Sequence, residues 1–226
     1  MICVKDAEKI YAKKTVLKKF SFLFESQKTY ALLGANGAGK STLIKSMMGL
    51  IHLDKGEVDM RSHCAYLPEH PYLPENMTPK QLITFACHTH GVSLSQVACL
   101  LDEVQLKPSA WTQRIAKCSK GMKQRIAIAY VLVASPEFYI LDEPMSGLDV
   151  MGRSLVLNIF KKRHQDGAGI IMCSHSVADM TKLCDQVLLL ADGELKETLP
   201  IHEASLEEAD YLESRLKHWY KHEVYD

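Results

Sequence analysis

The run Gly34-Ala35-Asn36-Gly37-Ala38-Gly39-Lys40-Ser41 fits the pattern G-x-x-x-x-G-K-[ST], and each position has a physical job. Glycines let the backbone curl so that successive N–H groups point inward at phosphate oxygens. Lys40 then reaches the β- and γ-phosphates of a nucleoside triphosphate, and the Ser41 hydroxyl can ligate Mg²⁺. Thr42 carries the run into a helix whose positive dipole end lies beneath the phosphates. Further along, Phe138-Tyr139-Ile140-Leu141-Asp142-Glu143-Pro144 reads as a buried strand ending in two acids. Carboxylates at such a place are costly unless they face a cation or ordered polar groups. Asp142 is therefore expected to hold Mg²⁺ through water. Glu143 is expected to accept the proton of a water attacking the γ-phosphate, a role that contributes roughly 10²–10⁴ in rate. The alternative is an exposed turn that happens to carry two acids. The acid pair favours hydrolysis over phosphoryl transfer to a small acceptor, and the chain has no N-K-x-D to support a GTPase. A glycine loop of this kind serves kinases, GTPases, motors and transport ATPases alike, so by itself it names the ligand and not the task.

These residues need elements to hold them. Ile2–Val4 and Val16–Phe24 read as strands, each followed by a polar break, and Thr29–Leu33 is a short apolar run ending at the glycine loop. Lys40–Leu50 has helical spacing, with Leu43, Met47 and Leu50 on one face. Cys64–Leu67 is strand-like, and Pro68, Pro71, Pro74 and Pro79 break the next stretch of chain into an irregular loop. From Pro79 to about Gln105 apolar residues recur at helical spacing, and a further helix runs from about Gly121 to Ala134, stopped by Ser135-Pro136. Phe138–Leu141, Gly169–Cys173 and Val187–Ala191 are fully apolar segments separated by helical ones. That alternation predicts an α/β fold with a mostly parallel sheet covered by helices on both faces. Near the end, Ala209, Leu212, Leu216 and Trp219 form an apolar helical stripe, either packed on the core or offered to a partner.

Composition narrows the function. The chain has 226 residues, 47% apolar and 24% charged, with 27 Lys plus Arg against 27 Asp plus Glu. A formal charge of zero argues against a protein that coats nucleic acid. The longest apolar run, Ile126 to Ala134, is far short of the ~20 residues that cross a bilayer as a helix. The N-terminal MICVKDAEKIY has no signal-peptide core, so the chain is expected to stay out of the membrane. Seven cysteines without a Cys-x-x-Cys pair read as reduced thiols, with a disulfide frame or zinc site as the alternative. His218 and His222, four apart in a charged tail, read as a solvated pair rather than a metal site.

Taken in order, the phosphate loop, Cys118-Ser119-Lys120-Gly121-Met122-Lys123-Gln124-Arg125, Ile140-Leu141-Asp142-Glu143-Pro144, Ser146-Gly147-Leu148-Asp149 and Ser174-His175 resemble the motifs of the ATP-binding subunit of an ABC transporter. The resemblance covers about residues 1–198. It implies a P-loop NTPase core with N-terminal antiparallel strands and a helical subdomain inserted at about 78–128, with 199–226 left as a C-terminal helical extension. It also assigns roles. Tyr11 resembles the aromatic that stacks on adenine, with ordinary strand packing as the alternative; such stacking contributes about 1–3 kcal/mol. Ser119 and Gly121 match the signature turn, which grips the γ-phosphate bound by the opposite subunit from a helix N-terminus. Asp149 resembles the acid bridging the two subunits near the water. His175 resembles the switch histidine that contacts the γ-phosphate and orients Glu143. Each ATP site is then shared, and the active species is a head-to-tail homodimer.

The chain departs from the family pattern in two places. Cys118, Lys120 and Met122 occupy positions more often Leu, Gly and Gln, and Lys120 adds positive charge where phosphate docks. Tyr66-Leu67-Pro68-Glu69 puts glutamate where a glutamine commonly touches Mg²⁺ and the attacking water; a carboxylate can ligate the ion but, ionised, donates no hydrogen bond. Both departures resemble a subset paired with exporters. The expected protein is thus an ATPase on the inner face of the cell membrane, driving separate transmembrane permease subunits with ATP and Mg²⁺ in the direction of export, and binding no nucleic acid. The rival is a soluble ABC ATPase acting as a regulatory or assembly clamp.

Overall fold

A computed structural model describes residues 1–174, 176–202 and 204–220. Strands β1 (Ile2–Tyr11) and β2 (Lys14–Phe24) form a hairpin. After β3 (Thr29–Leu33) and helix α1 (Lys40–Met47), β4 (Lys55–Met60) pairs antiparallel with the other edge of β1, giving the order β2-β1-β4. The polar stretch expected to end the first strand at Val4 is instead carried through by a bulge. Asp6 takes φ 44°, its amide donates to Ser21 Oγ at 2.8 Å, and the ladder resumes at Ala7. β4 was not legible, because Lys-Gly-Glu-Val-Asp-Met presents a solvated face and only two apolar side chains.

Next come β5 (Cys64–Leu67), α2 (Pro79–His90), α3 (Gln96–Glu103), α4 (Lys120–Val133), β6 (Phe138–Asp142), α5 (Val150–Gln165), β7 (Gly169–Cys173), α6 (Val177–Leu183), β8 (Gln186–Ala191), β9 (Glu194–Pro200) and α7 (Leu206–Tyr220). The larger sheet has the order β5-β6-β7-β3-β8-β9, parallel except for the last strand. Alternate side chains of β6 divide its two faces: Phe138 and Ile140 meet α1 and the antiparallel sheet, while Tyr139 and Leu141 meet the helical side. Helices lie on both faces as expected, but on one of them α1 shares the cover with the three antiparallel strands. Full burial of each large aliphatic here contributes about 1.5–3 kcal/mol.

Local signals set the helix ends. Thr78 caps α2 in a reciprocal box with Gln81, Pro79 follows at the first turn, and Gly91 at φ 67° closes it, splitting the expected helical stretch from α3. α1 stops at Met47, where Gly49 (φ 66°) lets the Leu50 amide return to the Lys45 carbonyl; Leu50 is therefore exposed rather than on the buried face. α4 continues to Val133, past the expected edge of the insertion, and β9 runs to Pro200, past residue 198. Ala209 and Leu212 of α7 are buried, and Leu216 packs against the same core. Arg215 and the Trp219 indole both donate to Glu197. All seven cysteines are free. His222 lies outside the described residues. Among the described residues, no helix is long and apolar enough to cross a membrane.

Candidate functional site

The glycine loop leaves the carboxyl end of β3, a strand whose five residues are all buried, and β6 and β7 deliver their own carboxyl ends alongside. In open α/β sheets ligands gather at this edge. Gly39 has φ 102°, and a Cβ on it would lie 2.8 Å from the Val16 carbonyl oxygen, so only glycine makes this approach to the antiparallel sheet. It also opens α1 without a side-chain cap, leaving the first-turn amides of Lys40, Ser41 and Thr42 to meet an anion. The Ala38 amide donates to the Ala35 carbonyl, tightening the loop. Lys40 is buried, and its Nζ donates to the carbonyls of Gly34 (2.6 Å) and Ala35 (3.0 Å), holding the ammonium against the loop's inner wall.

A cleft of about 180 Å³ is lined by Val16, Asn36, Gly37, Gly39, Lys40, Ser41, Thr42, Glu69, Asp142 and Glu143. Asp142 is buried, and burial pushes its carboxyl above the usual range. The Glu69 charge adds to that rise, while Lys40, Lys45 and a hydrogen bond with Ser41 oppose it. The Tyr66 phenol, half-buried, is pushed up to about 12 by burial first and by the Asp142 charge next. Glu143 sits in the left-handed region at φ 49°; its amide donates to the Cys173 carbonyl, and its own carbonyl accepts from Ser146. Such a backbone is costly for a side-chain-bearing residue and is held by its neighbours. His70 Nδ1 stands 3.8 Å from Glu69.

This donor set fits Mg²⁺. Three carboxylates face one lysine, and Asp142 resists ionisation in their midst. A hard cation taking oxygen from Ser41, Asp142 and Glu69 offsets that repulsion. Among the described residues no cluster of three or more His, Cys, Asp or Glu could hold a metal by itself. A site completed by a hydroxyl and by substrate phosphates would not need one.

Ser119, Gly121 and Asp149 lie elsewhere. They line a second cleft, of about 840 Å³, together with Lys107, Lys117, Lys120, Met122, Arg125 and Gly147. Ser119 caps α4, accepting from the Met122 amide at 3.2 Å, and Asp149 caps α5, accepting from Gly152 at 2.7 Å. Each cap contributes about 1 kcal/mol. Gln124 donates from α4 to the Pro144 carbonyl and so ties the signature helix to the strand bearing the acids.

The sequence-predicted residues thus fall into two groups, neither of which includes Tyr11. That ring is exposed at the end of β1, with Lys9 Nζ 5.2 Å from its centroid. Gly34, Ala35 and Ala38 form the back of the loop, and His175 lies outside the described residues. Sequence reasoning missed Val16, which lines the first cleft from β2, and Tyr66, which reaches Asp142 from the neighbouring strand. Tyr66 stood three residues before Glu69 in a strand already recognised, a signal that could have found it. Nothing local marked Val16.

A family model described as "ABC transporter" matches residues 17–146. The ABC-type transporter ATP-binding protein EcsA of Bacillus subtilis (strain 168) is 32% identical over 212 residues, spanning 87% of this chain and 85% of that protein. A solved structure described as the ATP binding subunit of an ABC transporter superposes with TM-score 0.83 at 31% identity, over 94% of this chain and 98% of that one. A dimeric ATP-binding cassette in a post-hydrolysis state bound to ADP and Pi shares the fold at TM-score 0.81 and 17% identity, over 89% and 99% of the two chains.

Proposed function

This chain belongs to the ABC transporter family as an ATP-binding subunit with ATPase activity, and we propose that two copies close on two ATP molecules to drive separate membrane subunits. The observation that carries this reading is the separation of the two clefts. One gathers the loop, Lys40, Ser41, Thr42 and three carboxylates; the other holds Ser119, Gly121 and Asp149, with no lining residue in common. That separation supports a triphosphate seated in the first cleft of one copy and met by the second cleft of another.

In each shared site the loop amides and Lys40 bind the phosphates, while Lys40 exchanges the Gly34 and Ala35 carbonyls for phosphate oxygen. Ser41, Asp142 and Glu69 hold Mg²⁺, which supplies neutralising charge for the phosphates. Glu143, its backbone fixed by Cys173 and Ser146, accepts the proton of the attacking water. Ser119 and Gly121 of the opposite copy cover the γ-phosphate and exclude bulk water, and Asp149 meets the partner near that water. Tyr11 stacks on adenine, and His175 orients Glu143.

We place the cassette at 1–198, its helical insertion at 78–128 and the extension at 199–226. It docks on the inner face of the membrane, and Glu69 with the substituted signature favours export. Glu143→Gln tests the core of this reading. It is expected to bind ATP and stall as a closed dimer; steady-state hydrolysis equal to the parent's would remove Glu143 as base. Co-isolation of a multi-span protein from detergent-solubilised membranes tests the transport assignment, and its absence favours the clamp.

A further inference from the structure

The two clefts differ in charge. Glu69, Asp142 and Glu143 surround the first against Lys40, whereas Lys107, Lys117, Lys120 and Arg125 surround the second against Asp149 alone. The Asp149 carboxylate is already engaged by Gly152, and Arg125 donates to the Gln105 carbonyl at 3.1 Å. Lys120 is placed differently. It is exposed, and among the described residues no carboxylate pairs with it. Its stem is nonetheless located: a Cβ on Gly147 would lie 2.8 Å from Lys120 Cγ and Cδ and 2.9 Å from Cε. Three methylenes thus lie across the turn Ser146–Asp149, and Gly147, at φ 75°, leaves them room. Lys120 thus lines the basic cleft together with Ser119 and Asp149, the residues assigned above to the other copy's site.

Resting on the shared-site reading above, we propose that Lys120 contributes an additional cation to each ATP site, contacting the terminal phosphate held by the opposite copy's loop. It thereby sets how tightly ATP closes the dimer. The methylenes over Gly147 reduce the freedom lost when the ammonium docks, and a charge-assisted bond to phosphate is among the stronger polar contacts. ADP has no γ-phosphate, so the contribution of Lys120 belongs to the ATP state alone.

The test uses the full chain in the Glu143→Gln background, with self-association followed by sedimentation in ATP or ADP at several salt concentrations. Lys120→Met removes the charge and keeps most of the stem; Lys120→Arg keeps the charge. The Met variant is expected to weaken ATP-driven association by about 10-fold and to flatten its salt dependence, with no effect in ADP and an unchanged melting temperature. The Arg variant is expected to retain most of the parent's association. A Met variant that associates as tightly as its parent, with the same salt slope, overturns the role of Lys120 alone. An equal loss in ATP and ADP assigns the effect to carboxylates or packing and also overturns it. If Glu143→Gln itself shows no ATP-dependent association, the shared site fails and this role fails with it.

Discussion

The loop cleft and the signature cleft are built by opposite means. The first lies at the carboxyl edge of buried parallel strands, where Asp142 is held in a place that resists its charge and Glu143 in a backbone conformation that resists its side chain. The second lies on helix ends whose caps, Ser119 and Asp149, stabilise the fold as they stand. Strain is concentrated where bond breaking is expected, and relaxed capping geometry where recognition is expected. A region that performs chemistry tolerates local cost, while one that docks can be built from ordinary helix-terminal contacts.

Single substitutions break or sharpen that contrast. Glu143→Gln has the largest expected effect, a fall in phosphate release of about 10²–10⁴ with ATP binding retained. Ser119→Arg fills the signature cleft and is expected to lower turnover by about 10²-fold while leaving nucleotide binding to the monomer unchanged. Lys40→Ala, by contrast, should lose binding itself, as calorimetry with ATP would show. Equal binding defects in these two would erase the distinction between the clefts.

Asp142→Asn addresses the cost directly. A carboxyl raised by burial favours the folded state while it is protonated, and that benefit is lost as pH rises through its elevated value. The Asn variant should therefore be more stable than the parent at neutral pH, read as a higher melting temperature. The difference should vanish in acid, and hydrolysis should be lost at every pH. An unchanged melting temperature at neutral pH would show that Asp142 carries no such penalty.

The smallest effect belongs to α7. Hydrogen bonds from Arg215 hold Glu197 below its usual range, and Trp219 assists, so its contribution is present above that range and lost as pH falls through the lowered value. Glu197→Gln should lower the melting temperature by about 1–2 °C at neutral pH, an effect that disappears in acid.

The loop cleft was largely legible because its residues are local. Gly34 to Thr42 form one uninterrupted run, and Asp142-Glu143 close a strand apolar enough to be recognised. Elements with a solvated face were harder. β4 and β9 contain alternating polar residues that resemble loop until paired with β1 and β8. The antiparallel layer that joins α1 in covering one sheet face depended on the pairings of β1 with β2 and β4. Val16 was hidden for a related reason, since its place in the cleft comes from the approach of β2 to Gly39 and not from its own neighbours in sequence. The signature motif was readable as a string, but the basic surround at Lys107 and Lys117 required the fold of the helical segment.

Mixing two disabled chains tests the shared site most directly. Lys40→Ala keeps an intact signature cleft and Ser119→Arg an intact loop cleft, so each alone should hydrolyse almost no ATP. Together they can assemble one whole site per mixed dimer, and phosphate release should rise clearly above either variant by itself. If the mixture stays as inactive as its components while mixed dimers form, the triphosphate is not held between copies.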